Sequence, residues 1–458
     1  MEATMKKSNV GNNLSEGPIL KGLVLFAIPI VLANLIQQLY GMVDLMVIGQ
    51  YVGNVGTVGV STGGEISDMI LPIATAFGTA GQIYIAQLVG AKSEDKIKSA
   101  GGTLISLTLL MSLVLMIGTM VFSVQILNLL NCPEEAFAEA RRYMLITAVG
   151  MPFIFGYNSI CGILRGMGES KKPMLFIIIA AITNIVLDVV LVVIFDLDVV
   201  GTAVATVFSQ VASCVAAFIY MYMRREAFGF ELKLSYFKMD RQSLKIIFNL
   251  GVPQAVRSTL VRFSMLWVNS CVNSYGLVYS STNSIGNKLQ KFLEVYTLGF
   301  SQAAAAMVGQ NLGAKRNDRA RKTVWYTLGI NLVLATIVAL LIILVPRGIF
   351  GIFTTDPEVL EVGVIYLRIM IIHFYMSGIV GSFQSMVIGC GNASLNFAIG
   401  ILDGVICKVG LSALFAYALG MGAMGFFWGT AVSRALPSLI CAIYFLSNRW
   451  EKRKLLTE

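Results

Sequence analysis

The sequence has few charged residues and no polar linker of the kind that separates soluble domains. Asp, Glu, Lys and Arg together make up 13% of the 458 residues, against roughly 25% in soluble globular proteins. A soluble chain of this length would divide into two or three domains joined by polar segments. No Pro/Ser-rich or low-complexity stretch is present, which excludes a set of soluble globular domains.

Residues that build catalytic and metal sites are also scarce. The single histidine, His373, lies in an apolar stretch; we expect a hydrogen-bonded core residue, with a role in proton transfer as the alternative. The seven cysteines are scattered without a Cys-x-x-Cys pair, which favours small packing residues over disulfides or metal ligands. We therefore expect no enzyme. Because no GxxxxGK[ST] motif occurs, we also expect no ATP-driven machine.

Long apolar stretches are what the sequence has instead, since hydrophobic residues make up 56% of it. Twelve stretches of about 20 residues or more are each long enough to cross a bilayer as a helix. Their predicted bounds are 22–49, 64–90, 101–130, 141–164, 174–195, 200–223, 245–272, 281–308, 323–345, 362–388, 395–420 and 424–447. The predicted fold class is an all-α polytopic membrane protein with twelve transmembrane helices.

The basic residues predict on which side of the membrane each loop lies. Twelve spans place both termini on one side. The termini and alternate loops carry 24 lysines and arginines, whereas the opposite loops carry only Arg141, Arg142 and Arg347. Because cytoplasmic loops are enriched in basic residues, both termini are predicted to be cytoplasmic. The net charge of +9 then reflects this loop bias, and we expect no nucleic-acid binding.

The two halves of the chain repeat each other. Residues 87–92 read QLVGAK and residues 310–315 read QNLGAK, and other glycine, proline, tyrosine and threonine pairs recur at nearly the same offset. Six spans separate the copies, so both have the same orientation and are related by a pseudo-two-fold axis along the membrane normal. We predict two six-helix bundles: an N-terminal lobe (1–223), a basic cytoplasmic linker (224–245) and a C-terminal lobe (246–458).

Two carboxylates, Asp44 and Asp188, lie near the middle of predicted spans in the first half. Tyr40 precedes Asp44 by four residues and Asn184 precedes Asp188 by four, so each pair shares a helix face. Ionisable residues inside spans are costly and mark functional sites. If the carboxylates are close, they would bind a proton or a metal cation such as Na⁺. The alternative is a hydrogen-bonded clamp between helices.

Several motifs resemble the multidrug and toxic compound extrusion (MATE) transporters, in particular their prokaryotic, DinF-like branch. The resemblance extends from about residue 15 to residue 447 and rests on the order of the motifs, since each one alone is weak. The motifs are LYGMVDLMVIGQYVG, LRGMGESKKP, NIVLD, GTAVATVFSQ, NLGVP and VGQNLGAKR.

This resemblance implies export of drugs or other small organic compounds by alternating access, driven by Na⁺ or H⁺, from the plasma (inner) membrane of a prokaryote. No other cofactor is implied, and we expect a monomer with small organic substrates and membrane lipids as its partners. The family's motifs match a cation site at Asp44, Asn184, Asp188 and Thr206, with the first three as Na⁺ ligands if Na⁺ is the coupling ion. They match cavity residues at Tyr40, Tyr143 and Asn158. Relatives with acids on the seventh and tenth helices couple in the C-terminal lobe, but this sequence has none there, so we expect coupling in the N-terminal lobe alone.

The second half is rich in basic residues within its spans. Seven are present, with only Glu294 and Asp403 to balance them. Arg257 and Lys408 are the most central, and we expect them to line a substrate cavity that favours anionic or zwitterionic cargo. The alternative is internal pairing with the two acids. The seven are Arg257, Arg262, Lys288, Lys291, Arg368, Lys408 and Arg434.

Two other kinds of membrane protein remain as alternatives. A flippase for lipid-linked oligosaccharides, from the same superfamily, would use a basic cavity for pyrophosphate, but such flippases often have more than twelve spans. A channel would need a repeated filter motif, which the sequence lacks, and the two-lobed repeat favours alternation of two states.

Overall fold

The computed structural model describes residues 13–228, 233 and 236–458, except for the side chains of residues 44, 45, 227 and 228. Among these residues there are twelve long helical segments and no β-strand. The segments are α1 (Ile19–Tyr51), α2 (Gly53–Gly90), α3 (Glu94–Val121), α4 (Glu134–Gly166), α5 (Lys171–Ile194), α6 (Asp198–Met223), α7 (Arg241–Asn273), α8 (Leu277–Leu293 and Val295–Gly313), α9 (Asn317–Leu344), α10 (Pro357–Gly389), α11 (Ala393–Ala418) and α12 (Ala423–Val432 and Ala435–Leu446).

The prediction of an all-α membrane protein with twelve spans is confirmed. Ten of the described helices are long and apolar enough to cross a membrane by length and composition. The other two are α7, which carries Arg257 and Arg262 among polar residues, and α8, which Glu294 divides into two shorter segments. Short helices at Ser123–Leu129 and Pro346–Gly351 precede α4 and α10.

The first compact unit consists mainly of Leu32–Val252. Its core is a close contact between α2 and α4, made possible by glycines. A Cβ atom at Gly63 would lie 2.5 Å from the carbonyl oxygen of Ala140, and one at Gly78 would lie 2.7 Å from that of Asn158. Small residues at such contacts are typical of membrane helices. In lipid the hydrophobic effect does not drive helices together, so close van der Waals packing stabilises their contact instead. Helix α3 instead exposes a row of large apolar side chains, as expected for contact with lipid.

The second unit consists mainly of Ser15–Val31 and Pro253–Leu456. Helix α10 lies at its centre: Tyr366 is 1% exposed and its ring meets that of Phe427 edge-on, with the ring centroids 4.9 Å apart. The first part of α1 packs on α8, where a Cβ atom at Gly299 would lie 2.4 Å from Cγ2 of Val31. The predicted lobe boundaries at residues 223 and 245 stay predictions.

The repeat is visible in how matching helices end. Lys92 after α2 and Lys315 after α8 both adopt left-handed backbone, with φ of 56° and 57°. Gly168 after α4 and Gly391 after α10 do the same, with φ of 84° and 72°. At all four ends, the backbone N–H groups of this residue and the next one bond back to the last helical turn. This pattern is the Schellman cap, so the sequence repeat specifies the same helix ends in both units.

Candidate functional site

Asn184 and Asp188 lie on one face of α5 and are 2% and 0% exposed. Asp188 is the last residue of the regular α-helix, and the chain continues as a turn of π-helix at Val189–Ile194. Such π-turns occur frequently at functional sites. Among the described residues, Oδ1 of Asn184 has no hydrogen-bond partner. An unsatisfied buried amide oxygen is costly, and this one is available as a ligand for a cation.

Four other helices converge beside this pair. Ile48 of α1, Val60 of α2, Tyr143 of α4 and Ala203 of α6 form one buried cluster with Val192, one turn after Asp188. The predicted ligand on α1, residue 44, lies one turn before Ile48. Its side chain is outside the described part of the structure, and its role stays a prediction. The structure thus brings together the helices that carry the predicted cation site.

Thr206 on α6 is half-buried, and its hydroxyl donates a 2.9 Å hydrogen bond to the carbonyl oxygen of Thr202. Gln210, one turn further along, was not singled out from the sequence. Its buried Oε1 has no hydrogen-bond partner among the described residues, and it lies against α4 where a Cβ at Gly150 would be 2.1 Å away. The spacing of four residues from Thr206 was the signal that could have identified it.

The three predicted cavity residues of this unit are placed differently. Tyr143 is 7% exposed and belongs to the apolar cluster around Ile48. Asn158, 8% exposed, donates from Nδ2 to the carbonyl oxygen of Ile154 at 2.8 Å, within its own helix. Tyr40 is half-buried on α1. Tyr143 and Asn158 are therefore largely covered by protein, and their contact with cargo stays a prediction.

In the second unit, Arg257 of α7 contacts an amide group. Nη2 of Arg257 donates to Oε1 of Gln384 at 3.5 Å. Gln384 also contacts Asn396 of α11 at 2.8 Å. Gly400 makes room for the arginine stem, since a Cβ there would be 2.1 Å from Cγ of Arg257. The Gln384 amide contacts the guanidinium without neutralising its charge, and Nε of Arg257 has no hydrogen-bond partner among the described residues.

Lys408 lies in α11 between two π-helical stretches, Leu402–Cys407 and Leu414–Ala418, and is 6% exposed. It lines a small cavity of about 10 Å³. Among the described residues, no ion pair or hydrogen bond of its ammonium group is found. The cavity lining also includes Asn269, Asn283, Asn287, Gln290, Tyr366 and Thr430.

Glu294 forms the centre of a partly buried ionic network next to this cavity. It pairs with Arg434 of α12, and its Oε2 lies 3.3 Å from Nε2 of His373. Nε of Arg434 is 3.9 Å from Oδ2 of Asp403, and Ser377 donates to the Glu294 carboxylate. Internal pairing, one of the two expectations for the basic residues, therefore describes Arg434. Arg257 and Lys408 form no ion pair within 4 Å of these acids among the described residues, although the charge of Asp403 acts on both.

Charged residues of this network lie where helices are irregular. Glu294 separates the two segments of α8, Arg434 separates the two segments of α12, and Asp403 lies within the first π-helical stretch of α11. Interrupted helices inside a membrane protein are typical of binding sites, because they place polar backbone and charged side chains at the same depth. Within the described residues, no group of three or more His, Cys, Asp or Glu side chains could hold a metal ion.

Comparison with known proteins identifies the same architecture. Residues 29–190 and 253–418 match the family model described as MatE, and the two segments begin 224 residues apart, as the internal repeat does. The probable multidrug resistance protein YoeA of Bacillus subtilis (strain 168) is 27% identical over 380 residues, which cover 82% of each protein. The multidrug export protein MepA of Staphylococcus aureus (strain MSSA476) is 24% identical over 438 residues, or 95% of each.

A solved structure shows the same fold. It is the outward-facing conformation of a multidrug resistance MATE family transporter of the MOP superfamily. It matches this chain with a TM-score of 0.91 at 20% identity, over 98% of this chain and 100% of that one.

Proposed function

Because this chain belongs to the MatE family of membrane transporters, we propose that it exports small organic compounds in exchange for Na⁺ or H⁺. The observation that carries the proposal is the buried Asn184/Asp188 pair at the π-turn of α5, on the face where α1, α4 and α6 converge. A carboxylate at this depth in a membrane protein is costly and marks a functional site, where binding of a cation or a proton stabilises it further. We propose that transport is driven by the ion gradient alone, without ATP, and that a single chain suffices.

The proposed mechanism is antiport by alternating access. In the outward-open state, the cation binds at Asp188 with residue 44 and Asn184, and displaces cargo. The loaded protein turns inward and releases the cation to the cytoplasm, where cargo binds and favours the return. Coupling requires that each ligand binds the two states with different affinity, since a ligand of equal affinity shifts no equilibrium.

The choice between Na⁺ and H⁺ has a structural test. A proton needs one carboxylate oxygen, whereas Na⁺ is a hard cation and needs several oxygen ligands. Oδ1 of Asn184 is a buried oxygen free of hydrogen bonds from described residues, and suits the second case. Asn184→Leu should therefore abolish Na⁺-driven transport while leaving H⁺-driven transport measurable. Equal loss of both would contradict the assignment of Asn184 as an ion ligand.

The C-terminal unit supports a preference for anionic or zwitterionic cargo. Arg257 contacts the amide oxygen of Gln384 and forms no ion pair with a described carboxylate, and Lys408 has no ion pair among the described residues. A positive field in a water-excluded cavity attracts negative groups more strongly than it would in water. Arg257→Gln should shift the ratio of anion to cation flux towards cations. An unchanged ratio at equal expression would contradict the preference.

The deciding experiment uses purified protein in proteoliposomes with an imposed Na⁺ or pH gradient. Efflux of a panel of fluorescent cations and anions is compared for wild type, Asp188→Asn and Asp198→Asn. Asp198 is exposed at the start of α6, so its variant is the matched control. We expect gradient-driven flux in wild type and the control, lost at least tenfold in Asp188→Asn. Folded protein that moves no panel compound under either gradient, but moves lipid-linked oligosaccharide, would favour a flippase instead.

A further inference from the structure

Four basic side chains lie where α5 begins and α6 ends, in the first unit. They are Lys171 and Lys172 at the start of α5, and Arg224 and Arg225 directly after α6. Lys172 is half-buried and the other three are exposed. None of the four forms an ion pair with a residue that the structure describes. We call these four residues the basic patch.

Tyr220, near the end of α6, connects the two halves of the basic patch. The ammonium group of Lys172 lies over its ring, 5.3 Å from the centroid. Buried Phe176 packs on the same ring, with the centroids 6.0 Å apart. Arg224 follows Tyr220 by one helical turn, and its charge acts on the Tyr220 hydroxyl. Cations from two helices therefore flank one aromatic ring, within reach of a single anionic group.

The acids at these helix ends do not balance the basic patch. Among the described residues they are Glu169 and Glu226. Oε1 of Glu169 accepts from the backbone N–H groups of Lys171 at 3.1 Å and Lys172 at 3.4 Å, so this oxygen caps the start of α5. Four cations and two acids leave an excess of two positive charges. The scaffold does not require this charge, because the matching helix α11 begins with the sequence ASLN.

Exposed apolar side chains continue along α5 from Lys172. Leu175, Ile179 and Ile182 follow it at spacings of three, seven and ten residues, which place them on one helix face. They are 41%, 41% and 59% exposed, and we call them the α5 stripe. Of the ten apolar spans among the described residues, α5 is also the least buried in protein. The α5 stripe is therefore a surface for lipid chains, with a cation at its end.

Helix α6 has the same arrangement in the opposite chain direction. Tyr222, Phe218 and Val215 precede Arg225 by three, seven and ten residues and are exposed. The guanidinium of Arg225 lies over the ring of Tyr222, 5.0 Å from the centroid. Ten helical residues extend about 15 Å, or half of a hydrocarbon core of about 30 Å. Because tyrosines are enriched at the level of the lipid headgroups, the basic patch lies at that depth.

The basic residues at the start of α9 are different, because protein groups occupy them. Arg319 donates to the carbonyl oxygen of Glu16 at 3.2 Å. Arg321 pairs with Glu451 at 2.5 Å. A cluster of this kind has little capacity left for another anion. The basic patch at α5 and α6 has that capacity.

We propose that the basic patch binds the phosphate of an anionic phospholipid, with Lys172 and Arg224 as its main contacts and an acyl chain along the α5 stripe. Basic clusters at the ends of membrane helices attract anionic lipids, and ammonium and guanidinium groups donate strong hydrogen bonds to phosphate. A headgroup with net negative charge, such as phosphatidylglycerol, offsets the excess charge, whereas zwitterionic phosphatidylcholine does not. Binding needs no transport, so the inference does not depend on the proposed function.

The test measures lipid binding to the purified, delipidated full-length protein by native mass spectrometry. The protein is titrated with phosphatidylglycerol or with phosphatidylcholine of the same acyl chains. We expect saturable and tighter binding of phosphatidylglycerol. Lys172→Gln/Arg224→Gln should weaken it by about twentyfold, since each basic residue at an anionic surface contributes roughly fivefold. Equal affinity of wild type for the two lipids would overturn the proposal, and the patch would then serve membrane topology alone.

The matched control is Lys92→Gln/Lys98→Gln. Both lysines are exposed in the same unit and on the same predicted side of the membrane, and their removal changes the net charge equally. This variant should keep the affinity for phosphatidylglycerol. Equal losses in the two double variants would indicate a general effect of surface charge and contradict a site. Glycerol phosphate, which lacks acyl chains, should not displace the lipid; complete displacement would identify a site for soluble phosphates and overturn the proposal.

Glu226→Gln keeps the test valid if Lys172→Gln/Arg224→Gln does not fold. It removes an exposed acid beside Arg225 and raises the excess from two positive charges to three. Phosphatidylglycerol should then bind about fivefold more tightly, and the affinity for phosphatidylcholine should stay the same. Unchanged binding of phosphatidylglycerol in this variant would show that the charge of the patch does not act on the lipid, and would refute the site.

Discussion

Glu294 is a partly buried acid whose carboxylate contacts Arg434, His373 and Ser377. Its side chain is 18% exposed and its partner Arg434 is 22% exposed, and removal of one member of a buried pair leaves the other charge uncompensated. Glu294→Gln should therefore destabilise the protein by about 3–5 kcal/mol. Unfolding in mixed detergent micelles, followed by tryptophan fluorescence, measures the change.

The control for this substitution is an ion pair at the surface. Arg142 and Glu139 lie one helical turn apart in α4, with side chains 63% and 27% exposed. Exposed pairs contribute about 0–1 kcal/mol, so Glu139→Gln should have little effect. A similar loss in both variants would mean that the Glu294 pair is not buried from water as the structure has it.

Site residues were predictable where their spacing carried the information. Asn184 and Asp188, four residues apart, are buried on one face as expected. His373 is buried and hydrogen-bonded, as expected. Its contact with Glu294 was not predictable, because the two residues come from helices that are distant in sequence and meet only through packing. For the same reason, the sequence could not separate Arg434, which pairs with Glu294, from Lys408, which lines a cavity.

At the level of helices, the left-handed caps that recur in both units predict opposite changes in the free energy of unfolding for two substitutions. Gly168 has a φ of 84°, which an L-residue adopts at a cost of about 1 kcal/mol, and Lys92 with a φ of 56° already bears such a cost. Gly168→Ala should lower the free energy of unfolding by about 1 kcal/mol, and Lys92→Gly should raise it by a similar amount.

A glycine inside a helix provides the comparison. At Gly329 in α9, an added Cβ would meet nothing within 4 Å, so Gly329→Ala should stabilise by about 1 kcal/mol through helix propensity. Urea or SDS titration of Gly168→Ala, Lys92→Gly and Gly329→Ala beside wild type measures whether each substitution raises or lowers the free energy of unfolding. Stabilisation by Gly168→Ala would show that the cap at the end of α4 is not left-handed.

Helix boundaries were predicted well where hydropathy sets them and poorly where packing does. The predicted first span, 22–49, lies within α1 at Ile19–Tyr51. The predicted second span began at residue 64, whereas α2 begins at Gly53, because its first turns are rich in glycine. Those glycines are contact positions: a Cβ at Gly59 would be 2.8 Å from Cβ of Glu139. The π-helical stretches of α5 and α11 have no hydropathy signature either.

Across the whole molecule, the two units share their helix ends but differ in the charge that they bury. The first unit buries Asp188, and the second buries Lys408 and the Arg434 network. The repeat therefore specifies the scaffold, and substitutions at a few positions inside it specify the chemistry. An N-terminal site for cations and a C-terminal site for anions would follow from this difference alone.

The orientation in the membrane is a further property of the whole molecule, and it follows from charge. Both termini and four alternate loops, which include those at Lys92 and Lys315, carry 24 basic residues, against three in the opposite loops. We predict that the first set is cytoplasmic, because basic loops are retained on that side during insertion.

Single cysteines test the orientation in whole cells. The seven native cysteines are all free and are first replaced, and Lys315→Cys and Asn131→Cys are then introduced separately. Both positions are helix-end residues with positive φ, 57° and 51°, so their local geometry is matched. A membrane-impermeant maleimide should label Asn131→Cys in intact cells and Lys315→Cys only after permeabilisation. The reverse pattern would invert the topology and, with it, the direction of the proposed transport. Labelling of both positions in intact cells would instead contradict the odd number of spans, α4 to α8, that separates them.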